Sequence, residues 1–228
     1  MPTDIDLLRT ACERDLGDPE LWLSAISYPN SLALCVIDAI YSTGARYVTV
    51  EKVVGRYRDH RTAQGGDADS DGLTELLATM RELGGPDPWA SQIGNRRPTS
   101  SAANAPLKAQ AIAEVAEALV ALGIDTTDDL RAVAADGERR ARARAAWCGT
   151  PGQRSGLTWD YALKLARIPG ANAGPVVVGY VAREIGTVDS AEAAELIRGV
   201  AEAVGWNAIE LDHAIWRFES GRPHQRAS

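Results

Sequence analysis

Apolar residues recur along this chain at three- and four-residue spacing almost from end to end, and no alternating run is long enough for a convincing strand. The pattern predicts helices over 4–16, 18–26, 31–43, 48–62, 71–83, 107–122, 127–135, 139–147, 157–167, 175–185, 190–204 and 207–218. Acidic residues stand at the cap positions of the first two. Pro29 sits where a first-turn proline belongs ahead of the third. That third segment, SLALCVIDAIYST, is apolar on nearly every side, which predicts a central helix packed all round. Residues 84–106 carry no period and read as one long loop, functional or poorly ordered. The fold class predicted is all-α.

Composition narrows the class. With 45% hydrophobic and 24% charged residues over 228 positions, the chain is ordinary globular material. No apolar run approaches the roughly 18 residues a membrane span needs, and acids stand near the N-terminus where an export signal would carry bases. Three cysteines, Cys12, Cys35 and Cys148, lack metal-ligand spacing and read as structural thiols in a reducing, cytoplasmic compartment. No metal site and no cofactor is expected. The formal net charge of −7 taken alone argues against nucleic-acid binding. The bases are nonetheless clustered, at 56–61, 96–97, 139–144 and 217–226, so a basic face on an acidic body is compatible with the sum.

One segment is chemically informative: LARIPGANAGPVVVGYVAREIG, residues 165–186. Two helical stretches joined by Pro-Gly-x-x-x-Gly predict a helix-hairpin-helix. Glycines there permit a tight turn and close approach by a partner. The second helix begins with unpaired N–H groups that form a ready anion site without any lysine.

At these residues the chain resembles the helix-hairpin-helix (HhH-GPD) DNA glycosylase superfamily, the group that includes endonuclease III and adenine-mismatch glycosylases. Residues 28–58 resemble the family's early core helix, the loop after it and the next helix. Residues 94–130 resemble the stretch where a Lys-Ala pair, here Lys108 and Ala109, opens a long helix. The resemblance covers roughly residues 28–218 and implies a two-lobed, glycosylase-like all-helical domain over 1–228. Its lobes would be 28–145 and 1–27 together with 146–220. It further implies double-stranded DNA as partner, with a damaged or modified base extruded into a pocket and its N-glycosidic bond cleaved. A monomer associated with the nucleoid is the setting that follows, with a role in repair or in defence against modified foreign DNA.

The family's hairpin lysine and following aspartate fall at Asn172 and Gly174. Without a lysine amine a Schiff base cannot form, so the expected activity is monofunctional, without strand cleavage. The catalytic carboxylate must then come from elsewhere. Asp212 with its neighbour His213 suits water activation, as titratable groups near neutrality do. Asp38, inside the most apolar helix, either lines the base pocket or makes a buried ion pair with an arginine. Expected DNA contacts are Pro169, Gly170, Asn172 and Gly174 of the hairpin, Arg46 and Tyr47 of the 42–47 loop, and Arg96 and Arg97. Ser42, Trp147 and Trp159 are expected at the base pocket. The resemblance also implies a monovalent cation at the carbonyls of Ile168 and Gly170. Two other functions fit the same residues: a catalytically silent DNA-binding hairpin module, and a helical protein-interaction domain.

Overall fold

The computed structural model describes residues 2–170 and 172–226. Among them the regular structure is helical, with only two isolated β-bridges, so the protein is all-α. The chain forms two compact units. One is continuous, residues 27–168; the other joins residues 1–26 to 169–228. The second crossing therefore falls at 168/169, later than the resemblance implied.

The continuous unit is built around α2 (Leu32–Ser42), whose first ten residues are buried. Ser31 caps it, its Oγ accepting from the Leu34 amide at 3.2 Å and donating to the Asp71 carbonyl at 3.0 Å. Pro29 lies in the turn before this cap and outside the helix. Around α2 pack α3 (Tyr47–Ala63), α4 (Leu73–Glu82), α6 (Lys108–Val120) and α9 (Leu157–Leu165). Burying Leu32, Leu34, Ile37 and Ile40 completely is worth about 1.5–3 kcal/mol each. The first turn of α4 borrows its cap from a distance, since Asp125 accepts from the Thr74 amide through Oδ1 at 2.7 Å and from Leu73 through its carbonyl at 2.9 Å.

Two elements depart from the pattern. The stretch 84–106 contains a helix, α5 (Pro86–Gln92), because its prolines stand in the first turn, where a missing N–H is no loss. Conversely, 18–26 holds only one 3₁₀ turn, Pro19–Leu21. Beyond it the backbone bonds to the C-terminal segment instead: Leu23 donates to the His224 carbonyl at 2.9 Å and Arg226 to that of Leu21 at 2.8 Å.

The helices α7 (Thr127–Ala134) and α8 (Gly137–Cys148) complete the continuous unit, both packed on each other. The discontinuous unit holds α1 (Asp4–Leu16) with α10 (Pro175–Ile185), α11 (Ser190–Val204) and α12 (Ala208–Glu219). Its core includes Leu8, Cys12, Tyr180, Val181, Ile197 and Leu211. Among the described residues no helix is long and apolar enough to cross a membrane.

Candidate functional site

In the continuous unit the structure gathers Asp38, Ser42 and Tyr47 around two further tyrosines. Asp38 is fully buried on α2. Its Oδ2 accepts from the Tyr28 hydroxyl at 2.8 Å, and its Oδ1 from Ser42 Oγ, one turn on, at 2.8 Å. The Tyr161 hydroxyl on α9 stands close to the same carboxyl and favours its charged form. The Tyr47 hydroxyl, at the start of α3, comes close to that of Tyr28, and the Arg58 guanidinium lies 5.7 Å from the Tyr28 ring centre. Burial raises the Asp38 pKa against the opposing pull of these hydroxyls. Asp38 thus neither lines an open pocket nor pairs with an arginine; a cage of hydroxyl groups holds it. Tyr28 and Tyr161 escape sequence reasoning because they lie far from Asp38 along the chain. Only Ser42, at i+4, was legible from spacing.

The loop after α2 is held from beneath by two cations. Lys108, at the start of α6 and 4% exposed, donates its Nζ to the Tyr41 carbonyl at 3.2 Å and to that of Thr43 in a short bond. Arg97 donates to the Gly44 carbonyl at 3.3 Å. Arg46 and Tyr47 remain exposed at the loop's end. Burial, with the Arg97 charge, lowers the Lys108 pKa from 10.5 to about 8. Compared with the unfolded chain, the folded state therefore shifts the balance toward the neutral amine. That preference contributes fully above pH 10.5 and is lost as pH falls through about 8. Relative to Lys108→Met, the native protein is expected to gain on the order of 3 kcal/mol between pH 7 and 10.5, read from urea unfolding of both proteins at each pH.

Other expected site residues are engaged elsewhere. Arg96 is paired with Asp87 through two bonds of 2.9 and 3.0 Å. Trp147 and Trp159 are buried and packed edge to face, 5.8 Å between centroids, so they offer no wall to an extruded base. Trp147 Nε1 donates to Thr158 Oγ1 at 2.9 Å, which satisfies the one polar atom of its indole.

The expected hairpin is shared between the units: α9 belongs to the continuous one, and residues 169–175 with α10 to the other. Gly170 and Gly174 do not use the left-handed region, whereas Arg167, just ahead of the turn, has a φ of +59°. The turn is braced from α11. Ala173 donates its amide to the Ser190 carbonyl at 2.7 Å, and Ser190 Oγ donates to Asn172 Oδ1 at 3.2 Å. Arg198 donates to the Gly170 carbonyl at 2.7 Å. A guanidinium already occupies that oxygen, so the monovalent cation implied there would meet like charge. What stays open is the first turn of α10. Its N-cap, Gly174, supplies no side-chain acceptor, Pro175 stands at N1, and Pro175 and Val176 are exposed. A Cβ added at Gly174 would meet nothing within 4 Å.

Asp212 and His213 lie half-buried on α12. Consecutive helical residues point to different sides, so they cannot work as a facing carboxylate–imidazole pair. The His213 ring instead stacks on Trp216, one turn along, at 5.7 Å and 25°. Asp189 was overlooked. It is exposed, caps α11 by accepting from the Ala191 and Glu192 amides at 2.8 Å, and adjoins the Ser190 that braces the turn. In the chain it comes only after α10, well beyond the Pro-Gly turn.

Comparison with protein families matches residues 6–220 to one described as Domain of unknown function (DUF8548). The chain belongs to that family. No curated protein and no solved structure matches it. The DUF8548 match runs from within α1 to the end of α12 and so takes in both units, with the Asp38 cage and the 169–175 turn alike. In this DUF8548 chain no group of three or more His, Cys, Asp or Glu residues stands ready to hold a metal ion among the described residues.

Proposed function

We propose that this protein binds duplex DNA through residues 172–177, ahead of and at the start of α10, and hydrolyses the N-glycosidic bond of a damaged or modified base. The observation that carries the reading is the open first turn of α10: an exposed, uncapped N-terminus behind a glycine with empty space in front of it. Such a terminus takes a phosphate through main-chain N–H groups and the helix dipole, which lets a chain of net charge −7 engage DNA. The resemblance of residues 28–218 to HhH-GPD glycosylases supplies the reaction. In it the bond between C1′ and the base breaks, a carboxylate stabilises the oxocarbenium-like sugar, water adds to C1′, and a proton goes to the departing base.

With Asp38 enclosed, Asp189 is the carboxylate we assign to that role, because its helix starts against the braced turn. Asn172 offers no amine, so the product is an abasic site and the strand stays intact.

Gly174→Asp tests the DNA contact. Aspartate is a strong N-cap, so thermal stability is expected to hold or rise. Its negative charge at the phosphate position is expected to weaken duplex binding about tenfold or more at low salt. Unchanged binding would overturn the assignment of the turn. Catalysis is read by alkali-labile sites in duplexes carrying alkylated, oxidised or bulky modified bases. Asp189→Asn keeps the cap and is expected to abolish them. Binding without alkali-labile sites on any duplex would identify a catalytically silent DNA-binding protein.

A further inference from the structure

A cleft of about 190 Å³ opens on the continuous unit where the end of α6 meets α7 and α8. Its lining is Ala121, Leu122, Ile124, Val133, Arg139 and Arg142. Ile124 and Val133 are almost completely buried and form an apolar floor. Arg139 and Arg142, three residues apart on α8, stand on one face of that helix and are exposed. Among the described residues no ion pair or side-chain hydrogen bond engages either guanidinium. By contrast Arg131 on α7 is tied to Asp128 and to the carbonyls of Pro29 and Ala166.

We propose that this cleft binds a small organic monocarboxylate carrying one ring or a branched hydrocarbon group. A cleft of about 190 Å³ has room for one ring with its carboxylate at the mouth. Paired guanidinium forks are the donors that match a planar carboxylate. Leu122, Ile124 and Val133 supply the apolar contact, and the two arginines fix the orientation, the usual division of labour in a ligand pocket. The site lies within residues 121–142 and does not depend on the DNA reading.

Benzoate is the probe. Calorimetric titration of the full chain at low salt is expected to show saturable one-to-one binding with a Kd of about 1 mM. Amide shifts in NMR are expected at Leu122, Gly123, Ile124 and Val133. Acetate, which has the charge alone, and benzyl alcohol, which has the ring alone, are expected to bind at least about tenfold more weakly. Arg139→Gln with Arg142→Gln alters two exposed side chains and is expected to remove benzoate binding without changing Tm. Absence of saturable binding, equal binding of acetate, or binding indifferent to the double substitution would each overturn the assignment.

Discussion

Replacing Arg61 by leucine is expected to destabilise the protein by about 3–5 kcal/mol, read as a lower urea midpoint. Arg61 reaches from α3 to Asp71 with two bonds, Nε at 2.6 Å and Nη2 at 3.0 Å. The Tyr57 hydroxyl adds a third at 2.9 Å. Asp71 is only 4% exposed, so the carboxylate left behind would keep one neutral donor in a site closed to water. Its backbone carbonyl also holds Ser31 and the Ala33 amide, which ties the same loop to the head of α2. Removing both charges together, Arg61→Leu with Asp71→Leu, is expected to recover a good part of the loss, because no lone buried charge then remains. If the double substitution is as harmful as the sum of the single ones, the pair is not the cause.

Asp38→Ala is the second large effect, about 3–5 kcal/mol. The alanine leaves the hydroxyls of Tyr28 and Ser42 without their shared acceptor inside the core. Asp38→Asn separates shape from charge. Because the folded pKa is raised, the neutral acid is the favoured form in the folded state. Its contribution is complete below the ordinary value of 3.8 and is lost as pH rises through the folded value. The asparagine protein is therefore expected to match or exceed the native one at pH 7. The native protein should gain on it as the solution is acidified. Parallel urea titrations at pH 7 and pH 4 check both signs. A native protein that loses ground to Asp38→Asn on acidification would contradict the cage as described.

Much of the architecture was legible. The bounds of α1, α10 and α11 follow from capping residues and apolar period alone, since Thr3, Gly174 and Asp189 mark starts that local chemistry sets. The failures share a cause. Residues 18–26 have a helical composition, yet their backbone finds partners in 224–226, and nothing nearby in the chain announces that. The cage around Asp38 was invisible for the same reason, Tyr28 preceding it and Tyr161 arriving from α9. Trp147 and Trp159 looked available for stacking because an aromatic residue's type does not say which side of a helix faces inward. The open turn before α10 was legible because proline and glycine act through their own backbone. Its bracing by Ser190 and Arg198 was not.

The way the chain is divided has a consequence for biosynthesis. Residues 27–168 emerge from the ribosome in one piece and can complete their unit at once, whereas α1 precedes them and the helices it packs against, α10 to α12, follow them. Until α10 to α12 are made, the nascent chain thus carries an amphipathic helix with Leu8, Ala11, Cys12 and Leu16 uncovered. A premature stop after α9 strands that helix permanently, which makes such truncated products natural clients for chaperones and proteases.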